Sequence, residues 1–363
     1  VLNLNALLQT LADEGGSDLH LKAGSPPVIR VDTELRRLDG KPITPQQMTA
    51  LADSVIPADR KDRFQTRGDC DFALSVMGLG RFRVNAFHQR GSISMAMRRV
   101  RVGGESFEDL MLPMAIRDLA EMPRGLVLVT GPTGAGKTTT LAAMVDHINK
   151  SRPVHILTIE DPIEVLHPDH VATVNQRELG IDTESYIDAM RAAMREDPDV
   201  IMIGEMRDTE TVGAALAAAE TGHLVLSTLH TTDAVETVNR VIDFFPQSHQ
   251  HQIRVSLSGV LKGVVCQRLA PRTGGGMIPA VEVMVSNGRI VDRILDPNVT
   301  AEIHDIIAQG SSYGMQTFDQ ALLNLVQQDL ISIPDALATA SRGHDFGLML
   351  QQAGLVEASL ASA

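Results

Sequence analysis

The stretch GPTGAGKT, Gly131 to Thr138, fits the spacing G-x-x-x-x-G-K-[ST]. A chance match in a chain this long has odds of about one in a hundred from average composition. The flanks are those the chemistry needs: an apolar strand, Leu126–Val129, leads in, and a helix leads out. Glycines let backbone N–H groups turn inward around a β-phosphate. The next helix adds the partial positive charge of its N-terminus. The candidate phosphate contacts are therefore Gly131, Pro132, Thr133, Gly134, Ala135, Gly136, Lys137, Thr138 and Thr139. Lys137 is placed to reach β- and γ-phosphate oxygens, and the Thr138 hydroxyl to ligate Mg²⁺.

Carboxylates follow at the spacing of further strands. TIEDPIE offers Glu160, Asp161 and Glu164 at a strand end, where Pro162 stops the strand. Strand ends on the carboxyl edge of a parallel sheet face the ligand crevice. VIMIGE reads as a buried strand ending in Glu205, a carboxylate placed to hold water for attack on phosphorus. Such a strand usually ends in two acids, and here the first is Gly204. The metal shell must then draw on Thr138, phosphate oxygens, water and a carboxylate from residues 160–164, with the choice among the three acids open. His230 ends the strand in GHLVLSTLH and is placed to sense a γ-phosphate, whereas His223 precedes it and orders a turn or an interface.

These motifs need a scaffold of alternating elements. From about residue 114, apolar strands alternate with amphipathic helices, which predicts an α/β unit with a mostly parallel sheet. Residues 1–101 read as a small α+β domain, with a hairpin in VIRVDTELRRL and two strands joined at Gly78–Gly80. Thr44 before Pro45 caps a helix to about Ile56. Residues 102–113 read as a linker and 114–363 as the nucleotide domain, with a helical region from about 298 and a frayed EASLASA end. In the first domain RFRVN puts Arg81 and Arg83 on one strand face, either solvated or reaching a neighbouring subunit's nucleotide.

Bulk properties exclude several classes. The chain has 363 residues, enough for two domains, with 44 % hydrophobic and 21 % charged residues. No apolar run approaches the roughly 18–20 residues of a membrane span. The opening carries acids and no basic n-region, so it does not read as a secretory signal. Two cysteines without a CxxC pair argue against structural zinc. A net charge of −13 and an absence of Trp argue against a nucleic-acid groove.

Taken together the chain resembles the type IV pilus retraction ATPase family, within the secretion ATPases. The resemblance rests on GSDLHLKAGSPPVIRVD and FRVNAFHQRG in the first domain. It rests further on the phosphate loop, TIEDPIE, VIMIGEMRD and the histidine-bearing stretch at 220–233. It implies a PAS-like α+β domain joined to a RecA-like P-loop ATPase domain, binding ATP and Mg²⁺. It also implies a homo-hexamer in the cytoplasm at the inner face of the cytoplasmic membrane, without membrane insertion. An inner-membrane pilus platform protein would be its partner, with a paralogous motor subunit as a further one. On matching positions, Glu205 would be the general base and Glu164 the carboxylate managing metal and water, directly or through water. His230 with His223, and Glu160 and Asp161, would have structural or coupling roles. Arg83 and Arg98 would contact phosphate. The family's late AIRNLI segment corresponds to GRIVDRIL, Gly288 to Leu295, with Val291 and Asp292 in place of Arg-Asn. The chain lacks the tetracysteine site typical of assembly and type II secretion motors, which favours retraction; those motors are the nearest alternative, and a nucleic-acid translocase a more distant one.

Overall fold

The computed structural model describes residues 2–356; the expected frayed end, 357–363, lies outside them. The chain divides into two compact units, Val1–Val102 and Gly103–Ala363.

The first unit is an antiparallel sheet with helices. Its strands are β1 (Asp18–Lys22), β2 (Val28–Val31), β3 (Glu34–Arg37), β4 (Asp69–Val76), β5 (Gly80–Gln89) and β6 (Ser92–Arg99), followed by the two-residue β7 (Arg101–Val102). The first six pair in the order β3-β2-β1-β6-β5-β4. In β5, Phe82, Val84 and Ala86 are buried while the residues between them are not. That period of two is what a sheet covered on one face requires. The covering helix Pro45–Val55 starts at Thr44, whose hydroxyl accepts from Gln47 N while the Gln47 side chain accepts from Thr44 N. This reciprocal cap satisfies two otherwise orphaned donors. The helix then buries Met48, Leu51 and Ala52.

In the second unit the strands are β8 (Gly125–Thr130), β9 (His155–Glu160), β10 (Val165–Leu166), β11 (Thr173–Glu178), β12 (Val200–Ile203), β13 (Leu224–Leu229), β14 (Leu261–Pro271) and β15 (Met277–Val285). All but β10 form one sheet, ordered β11-β9-β12-β13-β8-β14-β15. Every pairing is parallel except β14 with β15. Every residue of β8, β12 and β13 is buried. A parallel sheet covered on both faces demands such continuous apolar runs.

Two features depart from the sequence rhythm. The edge strand β11, TVNQRE, is polar and mostly unburied, so it carries little strand signal. The β14–β15 hairpin interrupts the strand–helix alternation altogether. Residues 103–113 pack with the second unit, burying Phe107 and Leu112 in one of its cores. At the end of the described chain, Leu322, Val326, Phe346 and Leu350 pack in a cluster with Ala270, Ile278 and Ala280 of the hairpin. No helix among the described residues is long and apolar enough to cross a membrane.

The central strand sets the stability scale. Leu128 of β8 is 1 % exposed. Leu128→Ala is expected to cost about 2–5 kcal/mol through lost transfer energy and a residual cavity. A lower denaturant midpoint at unchanged slope checks this; an unmoved midpoint contradicts a closed core around β8.

Candidate nucleotide site

The loop between β8 and the helix Lys137–Ser151 is shaped by what it lacks. Gly131 has φ 143° and Gly136, the helix N-cap, φ 88°. A Cβ on Gly131 would stand 2.3 Å from the Gln267 carbonyl oxygen, and one on Gly136 2.7 Å from Gln267 Nε2. Only glycine meets both the conformation and the contact. One turn into the helix, Thr140 Oγ1 donates to Gln267 Oε1 at 2.8 Å. Lys137 Nζ donates to the carbonyls of Gly131 at 2.7 Å and Pro132 at 3.1 Å. It lies 3.4 Å from His230 Nδ1. Burial lowers the lysine's pKa, and the Glu205 charge opposes that.

Above the loop is a cleft of about 520 Å³. Parallel strands β8, β9, β12 and β13 bring their carboxyl ends to it, as the architecture requires. Thr133 to Thr139, Glu160, Asp161, Glu164, Glu205 and His230 all line it. Gly131 and Pro132 join the site through the lysine they hold.

The three acids after β9 differ sharply. Glu160 is buried and occupied: Oε1 accepts from Thr158 Oγ1 at 2.6 Å and Gln176 Nε2 at 3.0 Å, and Oε2 from Glu164 N at 3.4 Å. Burial raises its pKa against those hydrogen bonds. Asp161 and Glu164 are exposed in the cleft wall. Thr138 also opens into the cleft. These hard oxygen donors suit Mg²⁺, which keeps phosphate and water among its ligands and needs no protein cage. Among the described residues no group of three His, Cys, Asp or Glu could hold a metal alone.

Glu205 follows β12 and is clamped by Arg207, whose Nη2 donates to Oε1, while His230 Nε2 lies 3.5 Å from Oε2. Burial pushes the Glu205 carboxyl up, but hydrogen bonds and charge from Arg207 and then His230 outweigh it and hold the pKa below the usual value.

Three residues named from the sequence are not among that lining. His223 sits before β13, at the end remote from the cleft, where Nδ1 meets the Ala218 carbonyl at 2.9 Å and Thr221 Oγ1 at 3.2 Å. It orders the turn between a helix and its strand and is not in the cleft lining. Arg83 and Arg98 face each other across β5 and β6 of the first unit. Arg98 Nε donates to Asp18 Oδ1 at 2.8 Å. The cleft lining is drawn wholly from the second unit, so neither arginine belongs to it.

Other residues enter that sequence reading did not single out. Gln267 walls the loop, and Glu282 of β15 accepts from Ala234 N at 2.9 Å, tying the hairpin to the helix Ala234–Asp243 just past His230. Tyr186 and His167 line the cleft. Arg207 had a signal, since it lies two residues from Glu205 in the same motif; the others are assembled only by the fold. The Arg207 clamp is testable without turnover. Arg207→Ala removes a group that favours the charged carboxylate, so the Glu205 titration midpoint should move up. Carboxyl ¹³C NMR reads it, and an unmoved or lowered midpoint counts against the clamp.

The chain is similar to known proteins in sequence and in fold. Residues 79–317 match the family model "Type II/IV secretion system protein". The chain is 44 % identical over 345 residues to the Type IV pilus retractation ATPase PilT of Pseudomonas aeruginosa, covering 95 % of this chain and 100 % of that one. It is 40 % identical to the Type IV pilus ATPase PilU of the same organism, covering 96 % and 92 %. Among solved structures, the pilus retraction motor PilT with bound ADP superposes with a TM-score of 0.86 at 43 % identity, covering 94 % and 98 %. The ATPase DotB of Legionella pneumophila gives 0.74 at 26 %, covering 93 % and 95 %. The chain therefore belongs to the Type II/IV secretion system protein family and, within it, groups with the retraction ATPases of type IV pili.

Proposed function

We propose that this protein is an ATPase motor that hydrolyses ATP to ADP and phosphate and uses the energy to retract type IV pili. One observation carries the reading. The phosphate loop, Glu205 and His230 converge on one cleft, in a chain that matches a retraction ATPase over 95 % of its length. A solved relative whose title names ADP supports an adenine nucleotide as the ligand.

In this reading the loop amides and Lys137 bind the β- and γ-phosphates. To do so Lys137 exchanges the carbonyls of Gly131 and Pro132 for phosphate oxygens, a trade of neutral acceptors for charged ones that favours the ligand. Thr138 and the exposed pair Asp161 and Glu164 would hold Mg²⁺, with Glu164 acting directly or through water. When bound, such an ion would supply positive charge to offset that of the phosphates. Glu205, which Arg207 keeps in its charged form, takes the proton of the attacking water. His230 spans Lys137 and Glu205, 3.4 Å and 3.5 Å away, which suits it to report whether a γ-phosphate is present. Glu160 supports the turn that carries Asp161 and Glu164. His223 acts at a distance from the chemistry, and Arg83 and Arg98 are proposed to contact phosphate from the first unit in a working assembly. That assembly is a homo-hexamer at the inner face of the cytoplasmic membrane, working on an inner-membrane platform protein, with a PilU-like paralogue as a further partner. The net charge of −13 disfavours nucleic acid as the track.

Glu205→Gln keeps the shape and removes the base. Turnover should fall about 10²–10⁴-fold, the usual worth of general base catalysis, while ATP still binds. Wild-type turnover in that variant would contradict the base assignment. A deletion strain tests direction: surplus surface pili without twitching support retraction, and a strain without pili points to an assembly motor instead.

A further inference from the structure

The strand β12 ends in Gly204–Glu205, where an acidic pair would be usual. A Cβ at Gly204 would stand 3.2 Å from Tyr186 Oη and 3.3 Å from the Ile159 carbonyl oxygen. The glycine is not there for a left-handed backbone, since its φ is not positive. It is there for room, and part of that room is taken by a phenol.

Tyr186 opens the helix Tyr186–Ala193, capped by Ser185, whose hydroxyl accepts from Asp188 N. Its ring belongs to the buried cluster that includes Ile201, Ile203 and Met206, and the residue is 9 % exposed. Its lining position places it in the cleft with Gly204, Glu205 and Asp161. Among the described residues no side-chain or backbone hydrogen bond occupies the hydroxyl. Burial first, then the charges of Asp161 and Glu205, push its pKa well up against the opposing Arg207. The group is an O–H donor throughout the working pH range.

We propose that Tyr186 is a positioning residue of the hydrolytic site. Its hydroxyl stands where a side chain at position 204 would enter, and it is placed to donate a hydrogen bond to the water held in the acidic corner of Asp161 and Glu205. A second carboxylate at 204 would crowd a third negative charge against those two, raising the pKa of one of them. A phenol supplies order to that acidic corner without charge. Because it is pinned by its ring, it loses little entropy in doing so. The inference rests on the ATPase reading for its kinetic arm and on packing alone for the other.

The test is a cycle of Tyr186→Phe, Gly204→Ala and the double variant. Tyr186→Phe keeps the ring, so fold and nucleotide affinity should stand. We expect kcat to fall about five- to tenfold, the loss of one hydrogen bond, at unchanged KM. Fluorescent ADP affinity, with and without Mg²⁺, should stay within about twofold. Gly204→Ala should lower the melting temperature, and lower it less in the Tyr186→Phe background, where the 3.2 Å contact is gone. Parent-like kcat in Tyr186→Phe, or an equal melting penalty for Gly204→Ala in both backgrounds, overturns the proposal. A parent protein without ATP turnover overturns the ATPase reading instead, and the melting cycle then decides this one.

Discussion

The contact between the phosphate loop and Gln267 is the constraint on which the rest depends. Two missing side chains, at Gly131 and Gly136, let the loop lie against β14 at distances no Cβ would survive. The Thr140–Gln267 hydrogen bond then fixes the first turn of the helix that follows. A loop held this way has its amides aimed before any ligand arrives, so binding does not have to order it. The hairpin reaches a second motif through Glu282, which takes the first backbone donor of the helix beyond His230. Burial pushes that carboxyl up to about 7, although its hydrogen bond to Ala234 and the Arg268 charge oppose the shift. A strand pair that looks peripheral in the sheet order thus braces two edges of one cleft.

Within the cleft, charge is arranged as alternating partners. Lys137, His230, Glu205 and Arg207 form a chain of contacts from the loop to the end of β12. Arg207 and then His230 hold the Glu205 pKa down against burial, whereas burial lowers that of Lys137 against the Glu205 charge. Glu160, by contrast, has its oxygens spoken for by Thr158, Gln176 and Glu164 N, and its burial makes it part of the frame.

Much of this was legible in the amino-acid order, and the reasons are local. The loop is a contiguous run whose spacing encodes its function, and β8, β12 and β13 are buried on both faces, so their apolar runs announce them. The cap at Thr44 is written in four consecutive residues. The resemblance supplied the pairing of the two domain types. What escaped is non-local. Polar β11 lies at an edge, and the hairpin's Gln267 and Glu282 acquire meaning only through partners more than 40 residues away. Gly204 could be read as a missing acid, but Tyr186, which fills that space, lies on another element. His223 was expected to order a turn ahead of its strand, and it does so just before β13.

β14 also has a back. Side chains alternate along a strand, so where Gln267 faces the loop its neighbour Arg268 faces away. Arg268 Nη1 donates to the Thr339 carbonyl at 3.0 Å, and its guanidinium lies 4.1 Å from the centre of the Phe318 ring. The helices Phe318–Gln327 and Ile333–Thr339 are therefore gripped by the residue adjoining the one that touches the phosphate loop. β14 is bonded to a strand on each side, β8 and β15, and such a strand does not stretch or bow independently. In mechanical terms it is a tie-rod that joins the phosphate loop to these two helices.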